Sequence, residues 1–147
     1  MKDIKPKLIR LFKEGYCTPQ ISRIAKTINE PSGTISYNIK RLEEEGTIKT
    51  YKAVFDYSKI EQGFCAYVLI NVPRSVNPRQ AIGELAKHEE IESMDILAGE
   101  WDLILKVRTK DQNSYYCFLE EVINQVAIER SRSLVSLGQV KENFMLT

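Results

Sequence analysis

One histidine and three cysteines are all that this 147-residue chain offers to imidazole or thiolate chemistry. His88, standing alone, excludes multi-histidine metal sites and most proton relays built on imidazole. Cys17, Cys65 and Cys117 lie far apart, are odd in number and lack zinc-ligand spacing, so neither a disulfide framework nor a metal site is expected. No cofactor is expected either, and no catalytic residue stands out. No apolar run approaches the ~18 residues needed to cross a bilayer, and no signal-peptide pattern opens the chain. The expectation is a cytoplasmic protein with no membrane partner. Net charge is equally scarce: 21 Lys and Arg against 20 Asp and Glu leave +1, which by itself names no partner.

What is present is unevenly spread. Residues 1–53 hold 11 Lys and Arg against 6 Asp and Glu, whereas residues 54–147 hold 10 against 14. A basic front on an acidic remainder fits a nucleic-acid-binding module carried on a second module, although chance clustering of surface charge has the same signature. A hydrophobic fraction of 43% supports a packed core and argues against disorder. The length suits one ordinary domain or two small ones.

Residues 18–46 organise the first part. Thr18 is a good N-cap and Pro19 suits the first helical position, where its missing N–H costs nothing. Ile21, Ile24, Ala25 and Ile28 follow at the spacing of one buried helix face. Asn29 can turn left-handed and Pro31 cannot continue a helix, so this helix should stop there. A second helix buries Ile35, Ile39 and Leu42 and ends at Gly46. Two amphipathic helices around so short a turn make a helix-turn-helix, whose second member can lie in a DNA major groove. On that helix Thr34, Tyr37, Lys40 and Arg41 point away from the apolar stripe, with Ser36 and Asn38 on its flanks and Gly33 near its start. Hydroxyls and an amide can meet base edges, and the two bases can meet phosphates. Ser32, at the helix start, and Thr18 and Gln20, at the start of the first helix of the pair, join this candidate DNA-contacting set. Any paired-helix packing unit with a solvated face shows the same pattern, and Tyr37 can instead pack on a neighbouring helix.

Ahead of this pair, a helix from near Asp3 to Gly15 should back it, burying Ile4, Leu8, Leu11 and Phe12 and completing a three-helix core. Beyond Gly46, Ile48, Tyr51, Val54, Phe55 and Tyr57 are β-prone, so a strand or short ribbon is expected in the position of a wing. Lys49 and Lys52 can reach the phosphate backbone from it. Residues 58–63 read as a hinge. The expected domains are residues 1–50 for the winged helix-turn-helix, 51–63 for wing strand and hinge, and 64–147 for a second module.

From Phe64 the pattern becomes strand, helix, strand, strand, helix, strand. Strands are expected over 64–72, 91–98 and 101–109 and within 128–142. Helices are expected over 78–88, burying Ile82, Leu85 and Ala86, and after Asp111. The latter carries Tyr115, Phe118, Leu119, Val122, Ile123 and Val126 on its apolar face. This is the ferredoxin-like βαββαβ arrangement, so the whole chain is α+β. In the first strand Ala66, Val68, Ile70 and Val72 make one face, and Cys65, Tyr67 and Leu69 the other. Both faces are apolar, yet helices cover only one, so a partner's identical sheet is the simplest cover and a homodimer is expected. A dimer also suits a helix-turn-helix on a palindromic site.

Two stretches carry a family resemblance. IKRLEEEGTIKTYKAVFD and LAGEWDLILKVRTKD, in this order and spacing, resemble the Lrp/AsnC (feast/famine) transcriptional regulators, and the likeness runs nearly the whole length. It implies double-stranded DNA binding by the N-terminal domain and a C-terminal RAM domain. It implies dimers that assemble further into tetramers or octamers, and a small-molecule effector, commonly an amino acid, where dimers meet. Carried over by position, residues 32–45 are the recognition helix. The effector turn is Gly99, Glu100, Trp101 and Asp102, with Ser131 and Ser133 lining the site. Three departures stand out: Pro31 precedes Ser32 where the family has the reverse order, Asn38 replaces an arginine, and Ala98 replaces a hydroxyl residue. Gly99 and Asp102 also have a simpler reading, as a turn glycine and a turn acceptor. Trp101 reads equally as a core or interface aromatic. Two further functions are open to such a scaffold. One is an enzyme resembling siroheme decarboxylases, which would gather histidines and arginines around a macrocycle, whereas this chain has one histidine. The other is a thiol redox sensor using Cys17, Cys65 or Cys117.

Overall fold

A computed structural model describes residues 1–140. The chain divides into two compact units, one spanning Met1–Phe55 and the other starting at Asp56.

The first unit holds three helices, α1 (Lys5–Lys13), α2 (Ile21–Ile28) and α3 (Ser32–Glu44). Pro6 sits in the first turn of α1, where no N–H partner is lost. At the end of α2, Asn29 adopts the left-handed conformation (φ 55°, ψ 50°), and Gly46 does so after α3 (φ +75°), as the stop signals predict. The start of α2 differs from expectation. Ile24 N–H donates to Gln20 O at 3.1 Å, so the first helical ring closes on Gln20 and Thr18 lies outside the cap position. Likewise Pro31 takes the N-cap place of α3, Ser32 is its first helical residue, and Glu45 sits at the C-cap instead of inside the helix.

The expected three-helix core is thin. Only Ile35 is buried; Ile21, Ile24, Ala25 and Ile39 are half-buried, and α1 buries nothing. Leu42 stays 38% exposed and Ile28 57%. Three short helices leave a high surface-to-volume ratio, so an apolar stripe at the right spacing is only partly covered.

No strand forms over residues 47–56. Side chains there are β-prone, but a strand needs a ladder, and the four-stranded sheet begins only at Phe64 with no place for this segment. The stretch expected as a hinge carries local structure. Residues 57–60 form a 3₁₀ turn capped by Asp56, whose carboxylate accepts from Ser58 N–H (3.2 Å) and Ser58 Oγ–H (2.6 Å). Tyr57 is tied by its side chain to the sheet of the second unit, so this stretch is docked there.

That unit comprises β1 (Phe64–Asn71), α4 (Pro78–Leu85), β2 (Ile91–Ile96), β3 (Leu103–Thr109), α5 (Gln112–Gln125) and β4 (Arg130–Val135). The strand order is β2-β3-β1-β4 and every neighbouring pair is antiparallel, the ferredoxin-like topology. Positions 141 and 142 of the expected last strand lie outside the described residues. Asn77 caps α4 and Asp111 caps α5, accepting from Ser114 N–H at 2.8 Å. The core lies between one sheet face and the helices, with Val68, Ile70, Leu85, Leu103, Leu105, Val107 and Val122 fully buried. Ala81 takes the buried place expected of Ala86, because Ala86 falls on the C-cap beyond the last turn. On α5, Tyr115, Phe118 and Val122 face the sheet while Ile123, a further 100° round, is half exposed.

The other face of β1 is less apolar than its own residues suggest. Cys65, Tyr67 and Leu69 stand opposite Arg108, Lys106 and Ile104 of β3. A strand read alone hides what its neighbour places beside it, and the face is therefore mixed.

Candidate functional site

Two surfaces hold the residues singled out by sequence. On α3, Ser32, Gly33, Thr34, Ser36, Tyr37, Asn38, Lys40 and Arg41 are all exposed, while Ile35 and Ile39 turn inward. Thr34, Tyr37 and Arg41 follow at i, i+3 and i+7, so they line one side. Arg41 lies 5.9 Å over the Tyr37 ring, and Asn38 Nδ2 donates to Thr34 O at 2.8 Å. Lys40 and Arg41 each face a glutamate one turn on, Lys40–Glu44 at 3.9 Å and Arg41–Glu45 at 3.4 Å. These exposed pairs are weakly held in water, so an incoming phosphate displaces them at little cost. Thr18 and Gln20 lie ahead of α2 and Lys49 beyond α3, all three exposed on the same unit.

The second surface is the β2–β3 connection. Asp102 holds it to the end of β1. Its Oδ2 accepts from Val72 N–H, its own N–H donates to Ile70 O and Asn71 Oδ1, all at 3.0 Å, and its carbonyl accepts from Leu97 N–H at 2.8 Å. Gly99 has φ +135° and open space where a Cβ would stand, so glycine is there for backbone conformation and leaves room above the turn. Arg130 of β4 reaches this turn, pairing with Glu100 at 3.3 Å and lying 4.4 Å over the Trp101 ring.

Ser131 and Ser133 lie on β4, the strand that also carries Arg130. Ser131 stands opposite Ile70, which in turn faces Leu103, so two strand spacings, about 10 Å, separate it from the start of β3. The Ser133 hydroxyl is hydrogen-bonded to that of Tyr115, which commits it to the packing of α5. Burial pushes the Tyr115 hydroxyl up from its ordinary value, against the opposing effect of Ser133. Asn71 and Arg130 are the partners that sequence reading missed, because only the strand order brings them beside the turn.

A third cluster lies on the mixed sheet face. Glu92 accepts from Arg108 Nε–H at 2.9 Å and from the Tyr57 hydroxyl at 3.0 Å, and Lys106 Nζ stands 3.2 Å away. The Arg108 guanidinium lies 3.8 Å over the Tyr57 ring. Burial raises the Glu92 carboxyl, but Arg108, Tyr57 and Lys106 together hold it below its ordinary value. Burial and the nearby Glu92 push the Tyr57 hydroxyl up to about 12. A carboxyl depressed in the folded state stabilises it above the unfolded value and loses that effect as pH falls through the folded one. Glu92→Gln should therefore melt below the parent at pH 7, and the gap should close below the ordinary glutamate value of 4.5. Melting curves followed by circular dichroism at pH 7 and pH 3 check this.

Among the described residues no group of three His, Cys, Asp or Glu side chains is arranged to hold a metal. Cys17 is half-buried, Cys65 buried and Cys117 exposed, and none is in a disulfide.

The model of the Lrp/AsnC ligand binding domain matches residues 65–146. An uncharacterized HTH-type transcriptional regulator of Pyrococcus abyssi is 34% identical over 121 residues, 81% of this chain and 75% of that one. Among solved structures, an AsnC family transcriptional regulator from Agrobacterium tumefaciens superposes with a TM-score of 0.77 at 21% identity, covering 100% of this chain and 97% of its own. A feast or famine regulatory protein from M. tuberculosis, complexed with L-methionine, has a TM-score of 0.75 at 25% identity, covering 99% and 97%.

Proposed function

This chain belongs to the Lrp/AsnC family, and from that premise we propose that it is a transcriptional regulator that binds duplex DNA through α3 and answers to a small amino acid at the β2–β3 turn. The observation that carries the reading is the exposed row of Thr34, Ser36, Tyr37, Asn38, Lys40 and Arg41 on a unit whose charge is basic. Hydroxyl and amide groups read base edges from such a helix, and the two bases hold phosphates. A symmetric dimer would place two copies of α3 about one DNA turn apart on a palindromic site.

At the turn, Gly99 leaves open space, Arg130 offers a cation to a carboxylate, and Trp101 offers an apolar wall. These are the groups an amino acid needs, and the M. tuberculosis protein's complex with L-methionine makes this the ligand class to test first. Effector binding there and operator binding at α3 are two equilibria, linked by a coupling of about 1–3 kcal/mol in typical cases. The relatives are named as transcriptional regulators, and the reading is of a regulator, not an enzyme.

A size-resolved DNA-binding assay on the region upstream of its own gene, with and without a panel of amino acids, tests this. A shifted complex whose size or midpoint changes with one amino acid supports it; no complex at low salt contradicts it. Within that assay, Lys40→Ala with Arg41→Ala should weaken binding to operator and unrelated duplex alike, by roughly tenfold or more at physiological salt, because phosphate contacts carry no sequence information.

A further inference from the structure

The segment after α3 has no strand, yet it is not loose. It leaves the helix through Gly46 and folds back at once, Ile48 N–H donating to Leu42 O at 3.0 Å. The Tyr51 hydroxyl then donates to Glu43 Oε1, on the last turn of α3, at 2.8 Å. On its other side lies Gly15 at the end of α1, with φ +94°. A Cβ there would stand 2.6 Å from Thr50 Oγ1 and 3.2 Å from Tyr51 O. Residues 48–51 are thus bonded to α3 and pass close against Gly15, without a ladder. Lys49 and Lys52 are exposed along this strap, and among the described residues neither joins an ion pair, unlike Lys40 and Arg41 on α3.

We propose that Tyr51 is a positioning residue for DNA binding: with Glu43 and Gly15 it fixes the strap so that Lys49 and Lys52 meet the phosphate backbone, in place of a hydrogen-bonded wing. The inference rests on the reading of α3 as the DNA-contacting helix. Two lysines on a free loop would lose conformational freedom when they bound, and a strap already held in place avoids most of that loss. Glu43 serves as the acceptor because it is on the turn of α3 nearest the strap. Glycine serves at position 15 because any side chain would push Thr50 away.

The test is the binding of the full chain to a mixed-sequence duplex of about 30 base pairs, with affinity followed against salt. Lys49→Ala with Lys52→Ala should lower the slope of log affinity on log salt by about 1–2, each phosphate contact contributing about 0.9. Tyr51→Phe alone should weaken binding roughly three- to tenfold, the range of one hydrogen bond, and shift the slope the same way. Glu43→Ala should match it, and Glu43→Gln, which keeps an acceptor oxygen, should recover the parental slope. In the background lacking both lysines, Tyr51→Phe should change nothing further. Parental affinity and slope for Tyr51→Phe, an additive loss in that background, or a lower melting temperature with an unchanged slope would each overturn the proposal. If the parent itself ignores the duplex at low salt, the DNA reading fails with it. If the parent binds and Tyr51→Phe is silent, only the strap is wrong.

Discussion

Leu85→Ala should destabilise the C-terminal unit by about 2–5 kcal/mol, the range for emptying a leucine site in a packed core. Leu85 is fully buried, in the hydrophobic cluster that also holds Ile70, Leu103 and Leu105 of the sheet. Helix and sheet form a single layer pair, so a void at this seam has few side chains able to collapse into it. Chemical denaturation followed by circular dichroism should show the main transition moving to lower denaturant. The three-helix unit has its own sparse contacts, so a second transition at the parental midpoint is expected if the units unfold independently. A shift smaller than about 1 kcal/mol would mean that the seam is not where the unit is held together.

Asp102→Ala should cost about 1–3 kcal/mol, because it strips the acceptor from the N–H of Val72, whose residue is 5% exposed. Asp102→Asn keeps an oxygen that can accept the same bond and should recover most of the loss. The pair of variants separates two roles. If Asp102 only ties the β2–β3 turn to β1, Asp102→Asn should bind amino acid with near-parental affinity. If its charge meets the ligand's ammonium group, Asp102→Asn should melt like the parent and bind more weakly. Thermal melts of Asp102→Ala that overlay the parent would contradict the structural account of the turn.

The second unit could be read from sequence almost element by element, because its strands and helices carry strong periodicity and Asn77 and Asp111 are unambiguous caps. The first unit was harder. Its helices follow the stop signals at Asn29 and Gly46, but Thr18 caps nothing, and α1 buries none of its stripe. Local signals say where a helix can begin, while the closing hydrogen bond decides where it does. The same gap explains the missing wing: Tyr51, Val54 and Phe55 favour extended backbone, but only a neighbouring strand turns that preference into a ladder. At the β2–β3 turn, Gly99 and Asp102 were legible as turn residues. Arg130 and Asn71 were not, since they are 28 or more residues away in the chain and meet the turn only through the strand order. Ser133 makes a hydrogen bond that is hidden in the sequence for a related reason. Its partner Tyr115 belongs to a helix whose packing direction is invisible in the strand itself.

Nuclease footprinting of the full chain on the DNA upstream of its own gene, at low salt and across a titration of L-methionine and other amino acids, bears most directly on the whole account. The expected result is protected stretches on one side of the duplex, about one helical turn apart, whose extent or midpoint changes with a single amino acid. Uniform cleavage at every protein concentration, with or without amino acid, would contradict it.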